Sequence, residues 1–171
     1  LIDNEINNFK DGKPARIRMK LNSITNYKII DKLYQASTSG VKIDLIVRGV
    51  CCLIPGINGL SENIRVISVI DKFLEHSRIY IFENSGNKKI YLSSSDLMTR
   101  SFDNRVEVTF PIYCKNLQNQ IIDTYNISWT DNVKARLINT DSQNIFVSNN
   151  KKKNRSQEET FNYYNKDFYQ K

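Results

Sequence analysis

Two short apolar runs with the periodicity of strands flank a stretch with the periodicity of a helix, and this order limits the possible folds more than any other feature of the chain. In residues 15–21 (ARIRMKL), Ile17, Met19 and Leu21 alternate with Arg16, Arg18 and Lys20, the two-residue repeat of a strand. Thr25 or Asn26 is placed to cap a helix running to Ser37, with Ile29, Ile30, Leu33 and Tyr34 on one stripe. Gly40 then supplies the left-handed residue that ends it. Residues 41–47 (VKIDLIV) read as a second strand that stops abruptly at Arg48-Gly49. Strand, helix and strand in this order place the chain in the α/β class.

The pattern continues along the chain. Residues 50–62 form a loop around Pro55, Gly56 and Gly59. Residues 64–70 read as a strand and 72–75 as a single helical turn. Residues 77–83 and 89–94 read as strands joined by a hairpin turn at 84–87. A short helix is expected over 96–101, an alternating strand over 106–112, a helix over 117–127 and a weaker element over 133–138. From about residue 139 the chain turns polar, with a solvated loop at 148–155. A last helix begins at Ser156, with Gln157, Glu158 and Glu159 in its first turn. Tyr163, Tyr164, Phe168 and Tyr169 are expected to pack along it or against a neighbouring domain. The 171 residues suit one domain spanning 1–171, of which 140–171 is polar loop and terminal helix. The chain opens at Leu1 with no signal peptide, as a piece cut from a longer protein would.

Charge and composition narrow the chemistry. Lys and Arg number 25 against 18 Asp and Glu, a formal net charge of +7 spread over both halves. Such an excess is either an ordinary solvated surface or cations converging on an anionic ligand. No apolar run reaches the roughly 18 residues of a membrane span. Cys51, Cys52 and Cys114 form no CxxC pair, so they are expected to be small buried thiols in a reducing compartment, with neither disulfide nor zinc. His76 is the single histidine, so any imidazole chemistry in this chain falls to it. The aromatic residues do not interleave with basic ones, and no nucleic-acid motif appears, so nucleic acid is not an expected partner.

The chemistry-bearing residues recur at strand ends. Arg48 closes the strand over 41–47, beside a glycine and a Gly/Pro loop that is not a Walker A sequence. Glu75, His76 and Arg78 precede the strand over 77–83. Ser93, Ser94, Ser95 and Asp96 follow the next one, either holding a phosphate or capping a helix. Arg100 and Arg105 come a few residues later. Lys20 with Asn22-Ser23 marks a third strand terminus. Guanidinium forks match phosphate oxygens two at a time, so the recurrence of arginine points to a phosphate or polyanion site.

Two long strings carry a specific likeness. LIVRGVCCLIPG and FLEHSRIYIF, within residues 20–86, and YLSSSDLMTRSFDNRVEVTFPI resemble the C-terminal catalytic domain of bacterial polyphosphate kinases over about residues 5–138, and RSQEETF also fits. The resemblance implies a phospholipase D-like fold, a mixed sheet flanked by helices, and reversible transfer of the ATP γ-phosphate to polyphosphate. It implies a phosphorylated histidine in a preceding domain of the same chain, since the motif around that residue is absent here. By the same resemblance His76 is the second family histidine, acting on the phosphates or in proton transfer, and Arg48 is the phosphate-binding arginine. Lys20, Arg78, Arg100 and Arg105 become candidate lining of a polyphosphate channel. Magnesium is implied as cofactor, with its ligands outside this chain and no metal residue within it. ATP, ADP and polyphosphate are the implied small-molecule partners, in a cytoplasmic homo-oligomer that is at most peripheral to the inner membrane. The 171 residues alone are then expected to be inactive.

Two other classes remain open at this stage. A phosphodiesterase of the phospholipase D superfamily needs His-x-Lys, and here the third position is Arg78. A non-catalytic polyanion-binding module would share the charge and not the transfer.

Overall fold

The alternating run at the start becomes β1 (Arg16–Leu21) in the computed structural model, which describes residues 1–141, 144–149 and 151–168. Among these residues the elements run α1 (Ile2–Lys10), β1, α2 (Tyr27–Thr38), β2 (Lys42–Val47), β3 (Ile64–Val69), β4 (Ile79–Phe82), β5 (Lys89–Ser93), α3 (Thr99–Asp103), β6 (Thr109–Pro111), α4 (Lys115–Trp129), β7 (Ala135–Ile138) and α5 (Ser156–Phe168). The strands form one mixed sheet in the order β6-β5-β4-β1-β2-β3-β7. β1, β2 and β3 are parallel, with Leu21 opposite Val47. β4, β5 and β6 extend the sheet antiparallel from β1, and β7 pairs antiparallel with β3. The α/β expectation holds.

The sheet is covered on both faces. Ile17, Met19, Leu21, Ile43, Leu45 and Val47 point to one side and pack with Ile6, Ile30 and Leu33 of α1 and α2. Ile46, Ile67, Ile79, Ile81 and Ile90 point to the other and pack with Tyr125 of α4. Asn26 caps α2 by accepting from the Ile29 amide at 3.1 Å. Gly40 takes φ 97° just after α2, and a Cβ there would lie 2.3 Å from the Phe9 ring of α1. Its lack of a side chain therefore serves both the helix end and the docking of α1.

Coverage of the second face changes the meaning of the polar positions in β1. A strand with water on one side would expose Arg18 and Lys20, but both lie under α4 at 8% and 7% exposure. Arg18 sits 6.0 Å from the centre of the Tyr125 ring and 3.6 Å from the Glu83 carboxylate. Burial lowers its pKa from the ordinary guanidinium value.

Several sequence expectations are corrected. Residues 72–75 are not helical. The short helix starts at Thr99 rather than residue 96, and the strand expected over 106–112 shrinks to Thr109–Pro111. The hairpin turn expected at 84–87 is present between the antiparallel β4 and β5, with left-handed φ of 48° at Asn84 and 56° at Ser85. The cysteines are not uniformly buried: Cys52 and Cys114 are exposed, Cys51 is half-buried, and all three are free. After the short parallel bridge between Cys51 and Ile24 the side chains alternate, Cys52 outward and Leu53 inward, so of the adjacent pair only the Cys51 thiol faces the interior. Burial pushes that thiol up to about 11. Of the terminal aromatics, Tyr163 donates to Asp123 and Tyr164 pairs with Thr124, both on α4. Tyr169, the Phe168 side chain and Asn150 of the polar loop lie outside the described residues.

Candidate functional site

Ile24, fully buried, ties together the chain segments that leave β1, β2 and β5. Its amide donates to Val50 O and its carbonyl accepts from the Cys52 amide, each at 2.9 Å. Next door the Thr25 amide donates to Leu97 O at 2.9 Å. Residues far apart in sequence are thereby gathered at one end of the sheet: Asn22 after β1, Arg48 after β2 and Asp96 after β5. Because β4 runs antiparallel to β1, its start also lies at this end and brings His76 and Arg78.

Arg48 is held from two sides. Its Nε donates to Asn22 Oδ1 at 2.6 Å, and its Nη2 lies 3.2 Å from His76 Nδ1. A guanidinium can only donate, so Nδ1 accepts and the imidazole proton sits on Nε2. This geometry belongs to the neutral ring, since a proton on Nδ1 would face the guanidinium. His76 is exposed and Arg48 half-buried. Among the described residues no group accepts from Arg48 Nη1. The site thus presents guanidinium N–H and imidazole Nε2–H donors side by side, a fork suited to phosphate oxygens.

Asp96 is the hub beneath this pair. It accepts from the Asn22 amide at 2.8 Å, the Asn22 side chain at 3.1 Å and the Ser23 amide at 3.2 Å. Arg78 grips it through Nε at 3.3 Å and Nη2 at 3.0 Å, and donates from Nη1 to His76 O at 3.0 Å. The bonds close a ring: Arg48, Asn22, Asp96, Arg78 and the His76 backbone, then His76 Nδ1 back to Arg48. Burial pushes the Asp96 carboxyl up, but the bonds from Arg78, Asn22 and Ser23 together outweigh it and hold the group below its ordinary value.

The remaining sequence candidates fall elsewhere. Lys20 is buried, paired with Glu75 and donating to Ser128 Oγ at 2.9 Å, so it abuts the His76 loop from below. Arg100 is exposed on α3. Arg105 is exposed, 3.9 Å from Glu107, and borders a groove of about 630 Å³ floored by Met19, Tyr80, Tyr91 and Leu97. Neither Arg48 nor His76 lines that groove. Arg78 faces Asp96 rather than open solvent. Ser94 pairs with Glu107 and Ser93 with Thr109, so neither is a free phosphate donor.

The sequence pattern puts Arg48 and His76 at strand ends, where they are found, and leaves Asp96 open between holding a phosphate and capping a helix. Asp96 bonds instead to residues 18 and 74 positions away, a pairing with no local signal. Among the described residues no group of three or more His, Cys, Asp or Glu side chains is placed to hold a metal ion. Among the same residues no helix is long and apolar enough to cross a membrane.

Comparison with known proteins places the chain in a family. The family model for the polyphosphate kinase C-terminal domain 2 matches residues 1–157. The chain belongs to this family. The polyphosphate kinase of Vibrio parahaemolyticus is 50% identical over 164 residues, and that of Escherichia coli K12 is 46% identical over 164 residues. Each match covers 95% of this chain and 24% of the relative, so this polyphosphate kinase domain spans about a quarter of the curated relatives it matches. The crystal structure of polyphosphate kinase from Porphyromonas gingivalis superposes with a TM-score of 0.94 at 41% identity, covering 97% of this chain and 26% of that one. A phospholipase D family member from Salmonella typhimurium superposes with a TM-score of 0.57 at 15% identity, over 80% of this chain and 89% of that one. That likeness is one of fold alone, and it matches the mixed sheet expected for this domain.

Proposed function

We propose that this domain forms one wall of a site that moves the γ-phosphate of ATP reversibly onto polyphosphate, by way of a phosphohistidine carried by another domain of the same polypeptide. The observation that carries the reading is the Arg48–His76 pair, two adjacent donors fixed over the Asp96 ring at the sheet end. Family membership supports the substrate class.

The chemistry follows from charge. Polyphosphate carries about one negative charge per phosphate, so bringing its end to a phosphoryl group sets like charges together. Preorganised donors lower that barrier by meeting charge where it develops. In this reading the nucleophilic imidazole attacks the γ-phosphorus and ADP leaves with the bridging oxygen. A terminal polyphosphate oxygen then attacks the phosphohistidine phosphorus and frees the imidazole. Arg48 holds two non-bridging oxygens during both displacements. His76 donates Nε2–H to a phosphate oxygen while Nδ1 stays on Arg48. Magnesium would accompany the nucleotide as counter-charge; the donors described in this chain do not fit it, and its ligands belong to the remainder of the polypeptide.

Rapid-quench labelling with γ-labelled ATP tests this reading in the complete polypeptide. Acid-labile phosphate is expected on a peptide outside these 171 residues, and to form more slowly in the His76→Ala variant. Label recovered on His76, or labelling unaltered in that variant, would overturn it.

A further inference from the structure

His76 hangs on a stretch with no regular structure. Between the end of β3 and the start of β4, Lys72, Phe73, Leu74 and His76 are all exposed. Such a loop has little of its own to fix an imidazole to within a few tenths of an ångström, yet Arg48 and His76 meet at 3.2 Å. The start of α5 supplies the restraint. Arg155, just before the helix, grips Asp71 with Nε and Nη2, both at 2.8 Å. The bond from Arg155 holds the Asp71 carboxyl below its ordinary value.

Gln157 then reads the loop as a strand would. Its Oε1 accepts from the Phe73 amide at 2.9 Å, and its Nε2 donates to Phe73 O at 2.8 Å. The same Nε2 lies 3.0 Å from Glu75 Oε1. The other Glu75 oxygen pairs with Lys20, which is anchored on Ser128 of α4. The three residues before His76 that carry side-chain or backbone anchors, Asp71, Phe73 and Glu75, are therefore all bonded to Arg155 or Gln157. The two bracing residues stand more than 75 positions along the chain from the loop.

We propose that Arg155 and Gln157 are positioning residues, which hold the Asp71–Glu75 strap so that His76 meets Arg48 in the geometry that transfers phosphate. This rests on the reading of His76 as a phosphate-handling group. Neither side chain touches the phosphate site itself. Their effect is carried by the backbone that ends in His76, and α5 becomes part of the machinery rather than a terminal appendage.

A merely stabilising role is separated by a double-mutant cycle in the complete polypeptide, read as polyphosphate synthesis from ATP. Gln157→Ala is expected to lower kcat by roughly 10- to 100-fold, because small misplacements of a reacting group are that costly. Its thermal unfolding midpoint should stay within a few degrees of the parent. In the His76→Ala background, adding Gln157→Ala should lower the residual rate by no more than about twofold, since the group being positioned is gone. Arg155→Ala should behave alike, and Gln157→Ala carries the test alone if Arg155→Ala unfolds. Equal losses in both backgrounds, or a wild-type rate in Gln157→Ala, would overturn the bracing role. A wild-type rate in His76→Ala would instead overturn the functional reading on which it rests.

Discussion

Gly49 stands where the loop after β2 crosses the end of β1, and its amide donates to Asn22 O at 2.7 Å. A Cβ at this position would lie 2.8 Å from Ser23 Oγ and 2.9 Å from Asn22 O. The Asn22 carbonyl accepts from Gly49 itself and the Ser23 hydroxyl accepts from the Val50 amide, so neither gives way freely. Gly49→Ala should therefore lift the loop off β1, destabilise by about 1–3 kcal/mol, and slow transfer by disturbing Arg48. Urea unfolding and the synthesis rate check the two parts separately. Asp96 makes a pH-dependent contribution. Its folded pKa lies below that of an unfolded aspartate, near about 3.9, so the stabilisation is complete above that value and is lost as the pH falls through the folded one. Asp96→Asn should thus be less stable than the parent at pH 7, and the difference should narrow on acidification below about pH 4. Unfolding free energies at the two pH values measure this; a difference independent of pH would contradict it.

At the scale of elements, Asp131 joins the end of α4 to both β7 and α5. One carboxylate oxygen accepts from the Val133, Lys134 and Ala135 amides at 2.9, 2.7 and 3.0 Å, and the other from the Ser156 amide at 2.7 Å. Asp131→Ala leaves four amides to be satisfied otherwise and should cost about 3 kcal/mol. Hydrogen exchange should then quicken in α5 well before it does in β1 and β2. The elements that sequence patterning reveals are those whose packing shows in their own period: β1, α2 and β2 alternate or stripe against the core they meet. The short β6 and the irregular strap at 71–76 have no such period, because their shape comes from distant partners. The burial of Arg18 and Lys20 is hidden for the same reason, since nothing within β1 announces that α4 covers its second face. α1 carries Ile2, Ile6 and Phe9 at helical spacing, a signal present but diluted by its polar neighbours. The strand-end positions of Arg48 and His76 were legible in the sequence pattern, and their expected roles came from the family resemblance, whereas Asp96 and Gln157 bond to residues 74 and 84 positions away.

At the scale of the whole molecule, one sheet end collects the ring of Arg48, Asn22, Asp96, Arg78 and His76 while both faces are given over to stability. Apolar clusters fill each face, and the polar ring sits where the parallel strands terminate, the usual place for ligands in open α/β sheets. The cations Arg18, Lys20 and Arg78 are matched by Glu83, Glu75 and Asp96, which leaves Arg48, at that rim, as the one of the four with no carboxylate partner among the described residues. The 171-residue chain on its own should unfold cooperatively yet form no acid-labile phosphate with ATP, because the attacking imidazole lies elsewhere in this account. Circular dichroism melting and acid-labile labelling of the isolated chain test both statements. In the proposed reaction Arg48 and His76 act together on the transferred phosphate. This joint action is tested most directly by the rate of polyphosphate synthesis in the complete polypeptide carrying Arg48→Ala or His76→Ala, with unfolding midpoints matched to the parent. A loss of roughly 100-fold or more is expected in each; a near-parental rate in either well-folded variant would rule out a joint role for the pair.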